Sequence, residues 1–118
     1  MLSWKLRAVE EKVFLPKVVG MLVDGEEIIG AYQSLRKGVL FTSKRIIVIR
    51  SHGFTGQKAQ FTSLPYHHIQ AYAVETAGSL DLDKELILWL SGHRKIRLKF
   101  ATKTKVAYIC RIISENSL

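Results

Sequence analysis

Hydrophobic residues change their spacing along this chain, dividing it into a helical start, a run of strands and a helical end. In residues 2–14, Leu2, Leu6, Val9 and Val13 recur at intervals of four, three and four, the spacing of one helix face. That pattern predicts an amphipathic helix with Ser3 as its candidate cap. Pro16 either ends this helix or opens the next segment, and Lys17–Val23 predicts a second short helix. Asp24–Glu27, reading DGEE, is expected to be a turn.

From Glu27 the pattern is that of strands. EIIGAYQSLR is followed by the turn RKG, then VLF, then the turn TSK. RIIVIR is rich in β-branched residues, as a buried strand is. Beyond the glycine-bearing loop SHGFTG, the strand KAQFTSL sets Ala59, Phe61 and Ser63 against polar neighbours. HHIQAYAVET predicts another strand, and ELILWL and KIRLKF form a hairpin about SGHR. In TKTKVAYICRIIS, Val106, Ile109, Cys110 and Ile113 share a helix face, with Thr102 as a candidate cap. Seven locally connected strands and a closing helix predict a mainly β (α+β) fold. The expected form is a bent sheet or partly open barrel with the helix over one end. The chain divides on this basis into a helical extension, residues 1–23, and a β domain, residues 24–118.

At 118 residues the chain is long enough to bury a core without metal or disulfide staples. Its single cysteine, Cys110, forms no internal disulfide. No apolar run reaches the roughly 20 residues of a membrane span. The N-terminus carries charge every few positions, where a secretory leader would be apolar. The expected location is therefore the cytoplasm, with any membrane contact peripheral to its inner face. A net charge of +8 permits attraction to an anionic surface or partner without naming one. Its distribution says more. Arg94–Lys105 holds six basic residues and no acid, whereas acids sit at Glu10, Glu11, Asp24, Glu26 and Glu27 and between Glu75 and Glu85.

On an extended HRKIRLKF, Lys95, Arg97 and Lys99 fall on one side and Ile96, Leu98 and Phe100 on the other. With Arg94, Lys103 and Lys105 they form the candidate site for an anionic ligand or membrane surface. The competing interpretation is a solvated face, or a counterpart for a neighbouring subunit's acids. His67 and His68 are adjacent, so on a strand they point to opposite faces and do not chelate one metal. Asp81, Asp83 and Glu85 alternate, which aligns three carboxylates for a cation or for acid/base chemistry, or else for a structural role. No serine lies in a nucleophile elbow, and no P-loop or dinucleotide fingerprint occurs. GFTG lacks the flanking helices of a nucleic-acid clamp, and the basic strand lacks interleaved aromatics. Nucleic acid is therefore a disfavoured partner, and no catalytic residue, metal ligand or cofactor is expected. Trp4, on the first helix, is a mild pointer to assembly or membrane contact.

The blocks GEEIIGAY, LFTSKRIIVI, GFTGQKAQFTSLPYHHI and VETAGSLDLDKELILWLSG occur in this order over residues 25–92. Together they resemble the bacterial pleckstrin-homology (PH) family. The resemblance implies a seven-stranded PH-like barrel capped by the C-terminal helix, ring-shaped homo-oligomers and no attached enzymatic activity. It also implies that the acidic stretch is structural or inter-subunit. Asp81, Asp83 and Glu85 then become candidates for a head-to-tail subunit contact with a neighbour's basic residues. The expected function is a non-enzymatic binding or scaffold module, partnered by its own copies and by some further protein. The alternative is a peripheral module that binds anionic lipid through the basic face.

Overall fold

The computed structural model describes residues 4–52, 58–76, 84–92, 94–101 and 103–118. Strands β1 (Arg7–Ala8), β2 (Ile28–Gln33), β3 (Lys37–Thr42), β4 (Arg45–His52) and β5 (Lys58–Pro65) make an antiparallel sheet in that order. A second antiparallel sheet holds β6 (Ile69–Thr76), β7 (Lys84–Leu90) and β8 (Lys95–Phe100). The seven strands expected from the sequence are present, with β1 added. Gly92, at φ +83°, supplies the left-handed residue of the β7–β8 turn. Helix α2 (Val106–Ser117) closes the chain.

Two cores explain the hydrophobic pattern. Between the sheets, Phe41, Ile46, Val48, Leu86, Leu88, Leu98 and Phe100 pack with Leu6, Tyr32 and Tyr66. Helix α2 covers this core with Val106, Ile109, Ile112 and Ile113, and Cys110 packs at its margin. On the outer face of the larger sheet, Ala31, Leu40, Ile47 and Ile49 pack under Phe14 and Val18. β4 is thus buried on both faces, which is why it reads as an unbroken apolar run rather than an alternating one.

The N-terminal segment departs from the helix expected over residues 2–14. Leu6 runs extended beside β8, donating its N–H to the Lys99 carbonyl and accepting from the Ala101 N–H, both at 2.8 Å. Arg7 and Ala8 pair with Gln33 and Tyr32 of β2, and Val9 donates to the Ala31 carbonyl. Each of these groups satisfies an edge of one sheet or the other, a gain that outweighs local helix propensity. The interval between Leu6 and Val9 also suits an extended chain used on both sides. Leu6 enters the inner core and Val9 the outer cluster. Helical backbone follows only as a 3-10 turn, Glu11–Val13, and the single-turn helix α1 (Leu15–Val18). Pro16 opens α1, in the first-turn position where its missing N–H costs nothing.

Three smaller corrections follow from packing. The first hairpin turns at Ser34–Arg36, closed by the Ser34 N–H on the Lys37 carbonyl, so Lys37 and Gly38 belong to β3. Gly38 is needed for proximity rather than for a turn, because a Cβ there would lie 2.5 Å from the ring of Phe14. On β5, Ala59, Phe61 and Ser63 are exposed, while Leu64 enters the core. Helix α2 has Lys105 at its N-cap position without a side-chain cap, and Thr102 lies outside the described residues.

Candidate functional site

The two sheets are joined differently at their two sides. Residues 6–8 bridge one side through main-chain hydrogen bonds to both β2 and β8. On the other side, β5 and β6 are consecutive strands linked by a 3-10 turn, Tyr66–His68, yet they are not paired with each other. Each is an edge strand of eight residues. Leu64 and Ile69, flanking the connection, are buried, whereas most of the remainder of both strands is exposed. Phe61 (36 %), Tyr72 (37 %) and Val74 (40 %) are the large apolar side chains left open there. Free edges of this length with apolar side chains are templates for strand addition.

A buried ion pair holds the neighbouring turns. Arg45 donates to Glu26 through Nε (2.9 Å) and Nη2 (2.8 Å), and Nη2 also reaches the Met21 carbonyl at 2.6 Å. The Thr42 hydroxyl donates to Glu26 Oε2 at 2.6 Å, and the Tyr66 hydroxyl donates to the Thr42 carbonyl at 2.7 Å. The Glu26 side chain is wholly buried. The Arg45 guanidinium, outweighing the cost of burial, lowers its carboxyl from 4.5 to about 2. Burial raises the Tyr66 phenol well above its ordinary range. This network fastens the DGEE turn, the β3–β4 turn and the β5–β6 connection to one point. Sequence reasoning read DGEE only as a turn and did not single out Glu26 or its pairing with Arg45.

The six basic candidates are carried by β8 and by the segments that flank it. Lys95, Arg97 and Lys99 do lie exposed on the outer face of β8, with Leu98 and Phe100 buried beneath and Ile96 partly so. Arg97 is already engaged by Glu85 within the same chain, at 2.6 Å. Lys103 lines a separate groove with Arg7, Ala8 and Thr104, and Lys105 stands at the start of α2. Arg94 is exposed before β8, at the end opposite Lys99. Asp81 and Asp83 lie outside the described residues, so of the subunit-contact candidates only Glu85 can be placed. His67 and His68 sit on the 3-10 turn rather than on a strand, with their exposed rings edge to face at 4.5 Å. Among the described residues no group of three or more metal-binding side chains occurs, and no helix is long and apolar enough to cross a membrane.

Arg97 and Lys99 instead border a groove that the sequence did not reveal. It is also lined by Trp4, Ser34, Lys37 and Glu85. A second groove, of about 310 Å³, continues from Trp4, Ser34 and Lys37 past Arg36 and Arg50 to His52. Lys37 is common to both and half-buried. Burial, and then the charge of Arg50, hold its ammonium below the ordinary lysine range.

Two facing sheets, bridged on one side, open on the other and capped by a helix, define a small PH-like domain. The bacterial PH domain model matches residues 3–117, and the chain belongs to that family. The fold superposes on a DUF1696-family protein with a pleckstrin-homology domain from Shewanella loihica PV-4. The TM-score is 0.85, with 34 % identity over 97 % of this chain and 98 % of that one. A pleckstrin homology domain from Shewanella amazonensis SB2B gives a TM-score of 0.72 and 38 % identity over 93 % and 90 %. In Bacillus subtilis strain 168, the uncharacterized protein YjqA is 44 % identical over 72 residues. That match covers 61 % of this chain and 58 % of YjqA. YozO, also uncharacterized, is 30 % identical over 85 % of this chain and 86 % of its own length.

Proposed function

We propose that this chain is a non-enzymatic binding and scaffold module that assembles with its own copies, edge strand to edge strand. The observation that supports this is the open corner, where two consecutive edge strands stay unpaired and expose Phe61, Tyr72 and Val74. Because β5 and β6 are different strands, pairing β5 of one copy with β6 of the next is a head-to-tail contact. Such a contact closes into a ring when the rotation per subunit allows it. Glu85 takes little part in the contact, since Arg97 of its own chain already neutralises it.

Light-scattering mass measured at micromolar concentration tests the proposal. The expected result is one species of several subunits, and a monodisperse monomer would sink it. Val74→Lys places a charge on the free edge, the device by which edge strands resist pairing. It should shift the protein to monomer with its circular dichroism unchanged. An unaltered oligomer would move the contact to another surface.

A further inference from the structure

Strand β6 pairs with β7 alone, and among the described residues no further main-chain hydrogen bond reaches Ile69–Thr76. Alternate N–H and C=O groups therefore point away from the sheet, in a repeat that another extended backbone matches. The register fixes what lies beside them. Tyr72 and Val74 oppose Leu88 and Leu86, so both stand on the core face of the sheet. Yet they are 37 % and 40 % exposed. The hydroxyls of Tyr72 and Ser114 are hydrogen-bonded at 2.8 Å, which holds the Tyr72 ring against the C-terminal half of α2. A strand added to β6 meets a fixed apolar shelf beside the helix.

Glu75 adds a charge to this edge. It is exposed on the opposite face, and its cross-strand neighbour is Glu85, another carboxylate. Like charges so placed repel. Arg97 neutralises Glu85, but Glu75 forms no ion pair among the described residues. The side from which a cation can face it across a strand ladder is the free edge.

We propose that β6 and the adjoining flank of α2 bind an extended peptide segment of another protein, added antiparallel to β6. A basic residue of that segment faces Glu75, and apolar residues face Val74 and Tyr72. Side chains alternate along a strand, so the cation falls on one face and the two apolar groups on the other. The incoming strand therefore reads basic, apolar, any residue, apolar. Main-chain pairing supplies the affinity and these three positions the selectivity. The proposal rests on the free edge of the self-assembly reading and adds an occupant that competes with a neighbouring copy.

The probe is a fluorescein-labelled peptide, TKVTVTT, titrated by anisotropy. Phe61→Lys protein is used, in which a charge on β5 blocks that edge and leaves β6 open. We expect saturable binding, abolished when two successive central residues are N-methylated, since one of their N–H groups must face β6. Glu75→Lys should weaken TKVTVTT about three- to tenfold and reverse the preference in favour of TEVTVTT. That reversal shows the variant to be folded, and it places the peptide on β6 rather than β5. No saturable binding, equal binding of the N-methylated peptide, or an unchanged preference in Glu75→Lys overturns the proposal. The mass of the unmodified protein is read separately. A monomer that binds the peptide ends the assembly reading alone, and an oligomer whose Phe61→Lys form ignores the peptide ends this one alone.

Discussion

Replacing Arg45 by alanine is expected to destabilise the fold by about 3–5 kcal/mol, because it leaves Glu26 charged and buried without its partner. In a chain of 118 residues that corresponds to a fall in melting temperature on the order of 10–20 °C. The loss should exceed that of an ordinary surface ion pair such as Lys12–Glu10, whose side chains are largely exposed. The pH dependence follows from the depressed carboxyl of Glu26. Its folded value, about 2, lies below the ordinary 4.5, so the folded state favours the carboxylate. The resulting stabilisation is present above about pH 4.5 and is lost as pH falls toward 2. At about 1.4 kcal/mol per unit it amounts to roughly 3 kcal/mol. Glu26→Gln removes this titration, so its stability should change less between pH 5 and pH 2.5 than that of the unmodified protein. Thermal melts across that range decide the matter; parallel curves for the two proteins would mean that Glu26 does not carry the acid sensitivity.

Phe14→Ala is expected to cost about 3–5 kcal/mol, as truncation of a buried aromatic does when the site cannot collapse. Phe14 is 3 % exposed and sits with Val18 over Leu40, Ile47 and Ile49. Its ring occupies the space a side chain at position 38 would take. Gly38→Ala alone should therefore destabilise by about 1–3 kcal/mol, the range for overpacking a filled core. In the Phe14→Ala background the same methyl enters the vacated volume, and its cost should vanish or reverse. A double-mutant cycle from denaturant melts reads this coupling directly. Simple additivity would show that the two positions do not compete for space.

How much the sequence disclosed depended on whether one segment or two distant ones set the outcome. β4 was legible because four consecutive apolar positions, Ile46–Ile49, need no partner to declare burial. Helix α2 was legible because its apolar face repeats at the helical period, although Ile112 joins it where Cys110 only partly does. The N-terminal segment was not legible, since Leu6 and Val9 satisfy the helical spacing while serving opposite sides of an extended chain. Glu26 and Arg45 are 19 residues apart, and a carboxylate in DGEE looks like any solvated turn residue until the β3–β4 turn closes over it. The basic groove was hidden for the same reason. Lys37 and Arg50 face each other only once the hairpin register is fixed, and Trp4 arrives from an independent part of the chain. The alternation of Lys95, Arg97 and Lys99 was visible, but the groove that Arg97 and Lys99 border and the link of Arg97 to Glu85 were not.

The bridge made by Leu6 has a consequence for the order of events in folding. Its hydrogen bonds reach Lys99 and Ala101, so the seam between the sheets is closed by residues from nearly opposite ends of the chain. Contacts so far apart in sequence carry a large loop-closure cost and form slowly unless other structure has already brought their ends together. The β2–β5 meander and the β6–β8 hairpins need no such help, being built from neighbours. Arg7 and Ala8 can pair with β2 as soon as it forms, but Leu6 must stay uncovered until β8 is in place, so the seam between the sheets closes late.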